Sequence, residues 1–185
     1  MDVDNRGALR LVVAHLVRQG RRRIAFLGGP RDLVFAVDRL EGYRDGLARE
    51  GLPYDPRLVR ETDLTEAGGR QAMDEILREA TPDAVAAASD AAALGALAAL
   101  RAHGLLPGAD VAVVGFDDTE AAASVDPPLS SVLQPIREAG ARVARRLVRL
   151  LEGAPEATGS LLPAVLVVRA SSRRARGSPA PERGV

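Results

Sequence analysis

VAVVGFDDTEAAASVDPPLSSVLQP, Val111 to Pro135, begins as an apolar run and ends that run on two adjacent carboxylates, Asp117 and Asp118. An unbroken apolar run bounded by turn residues is a strand covered on both faces, the kind found in parallel sheets. Acids at the end of such a strand can hold a metal, activate a water or grip a polar ligand. The stretch then turns proline-rich. Pro127, Pro128 and Pro135 bracket a short extended piece that reads as too proline-rich for an interior strand and as a crossing between two bodies.

Outward from this stretch, strand and helix signals alternate. GALRLVVAHLVRQG (7–20) carries apolar residues at helical spacing and stops at Gly20, so the chain opens on a helix. IAFLGG (24–29) reads as a strand, VDRLEGYRDGLAREG (37–51) as a helix and LVRET (58–62) as a strand. TEAGGRQAMDEILREA (65–80), DAVAAAS (83–89) and DAAALGALAALRAHG (90–104) continue as helix, strand and helix before the strand at Val111. A further helix follows over 136–153 and a last strand over 161–168. Short loops between alternating elements require parallel strands with right-handed crossovers, which predicts a doubly wound α/β sheet.

Composition narrows the function. The 185 residues hold 25 basic and 25 acidic side chains, a formal net charge of zero, so no overall basic field gathers nucleic acid. Cysteine is absent, which removes disulfides and thiolate chemistry and fits a reducing cytoplasm. Every basic residue apart from the two histidines is arginine. No apolar run approaches the roughly 20 residues that span a bilayer, and MDVDNRGAL lacks the apolar segment of a secretion signal. The segment 169–185 has no apolar residue to pin it before Val185 and reads as a disordered tail.

In an open parallel sheet, ligands bind beyond the carboxyl ends of the strands. Here those ends read GGPRD, ETDLT, ASDAA and GFDDT, each with an acid, and Arg31 and Arg39 lie nearby. Asp90 is read as a helix N-cap. Asp117 has no convincing helix after it, which leaves it as a ligand contact or a turn former. Adjacent in an extended chain, Asp117 and Asp118 point oppositely and serve one metal poorly, so no metal is expected. GGPRDLVF lacks the glycine pattern of a dinucleotide site, no GxSxG occurs, and His15 and His103 lie on helices, read as surface residues away from the strand mouths. No catalysis and no cofactor are expected. Arg21, Arg22 and Arg23 follow a helix end, where cations favour the dipole.

HLVRQGRRRIAFLGGP, DRLEGYRDGLAREGLPYDP and the run from ASDAAALG through VVGFDDTEAAASVDPPLSSVLQP to RLLEG resemble, in order, the effector-binding core of the LacI/GalR family of bacterial transcription regulators. The similarity runs from about Asn5 to Ser171 and implies a type I periplasmic-binding-protein-like core of two α/β lobes around a small-molecule effector. It implies Arg39 as the guanidinium that grips ligand hydroxyls and Asp117 as the carboxylate that accepts from them, with Asp118 shaping the turn. Ser89 stands where the family usually has Asn, and Leu64 where many members have Trp or Phe; both are carried over as ligand-binding positions. The resemblance places a homodimer contact at Leu94 and at the loop Ala121 to Val125, with Ser124 in it. It further implies residues 1–126 as one nearly complete lobe, 127–168 as a crossover with a remnant of the other lobe, and a DNA-binding headpiece outside this chain. The expected partners are a sugar or polyol, a second copy of the chain, and operator DNA only through that headpiece. The other reading of the same core is a solute-binding protein of a sugar transporter.

Overall fold

The computed structural model describes residues 2–152, 159 and 161–173. The elements follow in order as β1 (Asp2–Val3), α1 (Asn5–Arg18), β2 (Ile24–Gly28), α2 (Val34–Arg49), β3 (Val59–Glu61), α3 (Glu66–Glu79), β4 (Ala84–Ala87), α4 (Asp90–Ala102), β5 (Ala112–Phe116), α5 (Glu120–Ser124), β6 (Ser130–Leu133), α6 (Ile136–Leu151), β7 (Leu161–Leu162) and β8 (Val165–Val167). The main sheet has the order β3-β2-β4-β5-β6-β8, parallel throughout except for β8, which runs antiparallel to β6. The doubly wound α/β sheet expected from the alternation is present.

Two apolar cores lie on opposite faces of this sheet because side chains alternate along each strand. Ile24, Phe26, Ala86, Val114 and Phe116 face the layer of α1 and α2. Ala25, Leu27, Val85 and Val113 face α3 and α4. Each helix pair packs at glycine. A side chain on Gly95 would place its Cβ 2.0 Å from the Glu66 carbonyl oxygen, and one on Gly69 would lie 2.2 Å from that of Ala92. No residue but glycine lets α3 and α4 approach this closely.

Three expectations need correction. The piece around Ser130 is not a crossing but an interior strand: β6 sits between β5 and β8, and the prolines fall just outside it, where no ladder N–H is lost. The expected boundary at 126 therefore falls inside the sheet, which runs on through β6 and takes in β8. The stretch 161–168 is two strands, not one. Leu161–Leu162 pairs with Asp2–Val3 in a separate two-stranded sheet, and Pro163 separates it from β8. The chain accordingly opens on a short strand ahead of its first helix.

The reading of 169–185 as a disordered tail fails at its start, and residues 174–185 lie outside those described. Ser171 and Ser172 are fully buried. The Ser171 carbonyl accepts from the Val113 N–H at 2.8 Å, and its hydroxyl donates to the Val113 carbonyl at 2.6 Å. The Ser172 hydroxyl meets Ser130 Oγ at 2.7 Å and His15 Nε2 at 2.8 Å. A hydropathy reading misses this anchor because hydrogen bonds, not apolar area, supply it. His15 is correspondingly buried rather than a surface residue, whereas His103 is exposed beside Asp74 as read.

Burial, first, and the positive charge of Arg18, second, hold the His15 imidazole below its ordinary value. The unfolded chain thus takes up a proton on this ring before the folded one does. Its stabilising effect is complete above the unfolded value near 6.5 and is lost as pH falls through that value toward the lower folded one. Urea unfolding at pH 7.5 and pH 5 is expected to show a smaller acid-induced loss in His15→Gln than in the parent; equal losses would contradict this.

Candidate functional site

Strand order reverses between β2 and β4, and the four expected ligand positions gather beyond the carboxyl ends of these strands and of β5. Arg39 projects from the second turn of α2 and is almost wholly buried. Its Nε donates to Asn5 Oδ1 at 2.9 Å and its Nη1 to the Ala88 carbonyl at 2.5 Å. Its guanidinium carbon lies over two aromatic rings, 3.5 Å from the centroid of Phe116 and 4.7 Å from that of Phe35. Loss of hydration lowers Arg39 to about 10, against the opposing pull of Asp117 and Asp2, so it stays charged at neutral pH. Nη2 has no protein hydrogen-bond partner among the described residues, which leaves donors for a ligand.

Asp117 follows β5 and is exposed on its outer side. It has a backbone φ of 118°, and Asp118 follows at 54°. Such angles cost a non-glycine residue roughly 1–3 kcal/mol unless the surroundings enforce them. Here they are enforced. The Asp117 N–H bonds the Val132 carbonyl at 2.9 Å, the Asp118 N–H bonds Ser131 Oγ at 3.0 Å, and the Asp118 carboxylate pairs with Arg169 at 2.7 Å. The Asp117 carboxylate accepts from Gln134 Nε2 at 2.6 Å. Lost hydration raises Asp117 above the ordinary carboxylate value, opposed by Arg39 and then Gln134. The carboxylate thus has acceptor capacity for ligand hydroxyls and sits in the field of a fixed cation.

Ser89 and Leu64 are joined directly, Ser89 Oγ donating to the Leu64 carbonyl at 3.2 Å. Ser89, not Asp90, is the N-cap of α4, accepting from the Ala92 N–H at 3.1 Å. Its hydroxyl therefore retains one acceptor site for a ligand. Leu64 has a φ of 64°, and its methyl groups close over Gly29 beside Ala36. The expected dimer positions form a second group: Leu94 and Val125 are half-buried against the α3–α4 core, and Ala121 and Ser124 are exposed on α5.

Asp90 was read as a cap and is instead a buried lock. Its carboxylate accepts from Ser131 Oγ at 2.5 Å, from the Thr119 N–H at 2.7 Å and from Thr119 Oγ1 at 3.0 Å. Desolvation raises its pKa, with those three bonds working against the rise. Asn5, Gln134, Phe35 and Phe116 also escaped the sequence reading, since each matters only through a partner distant in sequence. Among the described residues no three His, Asp or Glu are placed to hold a metal, and no helix is long and apolar enough to cross a membrane.

A guanidinium and a carboxylate are thus held together at the strand mouths of an open parallel α/β sheet. A family model for the periplasmic binding protein-like domain matches residues 13–172, and the chain belongs to that family. Its relatives are LacI-type regulators, as the resemblance implied. The transcriptional regulator CelR of Thermobifida fusca is 46% identical over 154 residues, 83% of this chain and 45% of CelR. The lactose operon repressor of Escherichia coli K12 is 40% identical over 161 residues, 86% of this chain and 44% of the repressor. A solved CelR–cellobiose complex superposes with a TM-score of 0.87 at 44% identity, over 92% of this chain and 53% of that one. The lac repressor dimer bound to operator and an anti-inducer superposes at 0.88 with 37% identity, over 92% and 52%. The chain spans about half the length of the curated relatives it matches. These relatives are regulators rather than enzymes.

Asp90→Ala leaves the fully buried Ser131 hydroxyl without its acceptor, whereas the exposed Thr119 donors turn to water. A loss of about 1–3 kcal/mol is expected from the one orphaned buried group, a fall in Tm of about 2–12 °C for a chain of this size. Calorimetry checks it; an unchanged Tm would mean that the loop does not depend on this carboxylate.

Proposed function

We propose that this chain is the effector-binding and dimerising domain of a cytoplasmic LacI/GalR-type transcription regulator. The effector is a sugar-like molecule held by Arg39 and Asp117, with Ser89 and Leu64 lining the same mouth. The observation that carries this reading is the Arg39–Asp117 pair: a donor fork and an acceptor, each fixed by the protein and each with hydrogen-bonding capacity left, matching the hydroxyl edge of a sugar. The likeness to CelR, solved with cellobiose, supports a sugar as the class. Operator DNA is then contacted through the part of such regulators that this chain does not span, since the chain itself carries no net positive charge.

Asp117 is open to water on its outer side, so each hydrogen bond to a ligand largely replaces one to water, a net gain of about 0.5–1.5 kcal/mol. Cellobiose is therefore expected to bind this chain alone in the millimolar range, read as NMR shifts at the strand mouths. Asp117→Ala and Arg39→Met are each expected to weaken binding about tenfold, the loss typical of a hydrogen bond to a charged group. Binding that both variants leave untouched would sink the assignment.

The dimer surface is proposed at α4 and α5. Sedimentation is expected to show a self-associating parent and a monomeric Leu94→Asp. Leu94 is half-buried, so Ser124→Arg, on an exposed position of α5, serves as the variant whose fold is not at issue. A dimer that persists in Ser124→Arg and Leu94→Asp would place the contact elsewhere.

A further inference from the structure

Three carboxylates, Asp90, Asp117 and Asp118, converge where β5 leaves the sheet. The negative charge of Asp118 acts on Asp90, and that of Asp90 on Asp117. Arg39 answers Asp117, and Asp90 is satisfied by the hydrogen bonds from Ser131 and Thr119. Asp118 falls to Arg169. Its Oδ1 is closed to solvent and lies 2.7 Å from Arg169 Nη2, and only 16% of the Asp118 side chain and 21% of the Arg169 side chain are exposed. Taking the cation away from a covered carboxylate leaves a charge that must find water.

Arg169 is itself fixed before any ligand arrives. Its Nη1 donates to the Leu129 carbonyl at 2.8 Å, its backbone N–H donates to Ser130 Oγ at 2.8 Å, and that hydroxyl returns a bond to the Arg169 carbonyl at 3.1 Å. Ser130 and Ser171, bonded to one another, are fully buried. The turn opposite hangs on two bonds, Asp117 N–H to the Val132 carbonyl and Asp118 N–H to Ser131 Oγ, with positive φ at both residues. Asp117 and Asp118 share a peptide plane, so an Asp118 carboxylate driven outward rotates that plane and turns Asp117 with it.

We propose that Arg169 is a positioning residue of the effector site: by neutralising Asp118 it holds the turn in the conformation that presents the Asp117 carboxylate to a ligand. The inference rests on the sugar-site reading for what Asp117 grips, but not for how Asp117 is held. It makes the segment 169–172 a strap that belongs to the binding machinery, supporting the residue that touches the ligand. Loosening the strap weakens effector binding.

The test uses cellobiose with the whole chain. Arg169→Met is expected to weaken binding about fivefold, within the range of couplings between residues in contact. Asp118→Asn removes the charge that needs a cation and keeps a side chain that tolerates positive φ, so on this background Arg169→Met is expected to change binding by less than about twofold. Arg169→Lys keeps a cation for Asp118 and is expected to stay within about twofold of the parent. A loss that is equal on both backgrounds, or that Arg169→Lys shares in full, overturns the role, because it then stems from packing or from the Leu129 bond. Hydrogen exchange reads the same turn without ligand. The Asp118 N–H is expected to exchange faster in Arg169→Met and to return toward the parent rate in the double variant. The Val113 N–H, bonded to the Ser171 carbonyl, is expected to stay protected in each, which shows the fold intact. Absence of cellobiose binding in the parent overturns the sugar-site reading, and exchange at Asp118 then decides the role of Arg169 alone: an unchanged rate in Arg169→Met overturns it.

Discussion

The carboxylate of Asp90 is the constraint on which the binding face depends. It sits at the first turn of α4, buried, and gathers three hydrogen bonds from Ser131 and Thr119. Those bonds tie the start of α4 to the inside of β6 and to the cap of α5, so the chain leaving β5 has no freedom between them. Within that interval Asp117 and Asp118 adopt positive φ angles that an unconstrained aspartate would leave. A side chain on Gly115 would lie 2.2 Å from this carboxylate, which shows how little room the lock allows. Rigid backbone at the strand mouth is what turns an exposed acid into a fixed acceptor.

The same economy governs Arg39. A flexible guanidinium loses much side-chain entropy when it grips a ligand. Here two hydrogen bonds and two aromatic rings have already immobilised it during folding. Burial lowers its pKa only to about 10, leaving it charged with part of its donor fork open. Asn5 reaches it from α1, Ala88 from just past the end of β4 and Phe116 from β5. The cation is therefore positioned by three elements that are far apart in the chain and meet only at the strand ends.

The α6 helix stands apart from this arrangement. None of its residues is buried, and Ile136, Val143, Leu147 and Leu150 are each more than half exposed. Amphipathic periodicity predicted the helix correctly, as it did the other long helices, but periodicity says only that a face wants cover. The segment 169–173 shows the opposite case: it gives no strong apolar signal, yet Arg169 and Ser171 are held to the sheet by hydrogen bonds to Leu129, Ser130 and Val113. Local hydropathy underestimates such a segment because its partners lie some 40 to 60 residues away.

Taken alone, the sequence determined the alternation of strands and helices, the parallel sheet, the absence of thiol chemistry and the gathering of acids at the strand ends, because each is written in local spacing and composition. Its motifs further marked Arg39 and Asp117 by resemblance. Only the tertiary structure decided that β6 is an interior strand, that Asp90 is a lock rather than a cap, that Ser171 and Ser172 are core residues, and that Phe35 stands over the site cation. The physical reason is common to all four. Hydrogen-bond satisfaction and ring contacts are pairwise properties of residues distant in sequence, and a polar or aromatic side chain carries no local sign of which partner will bury it.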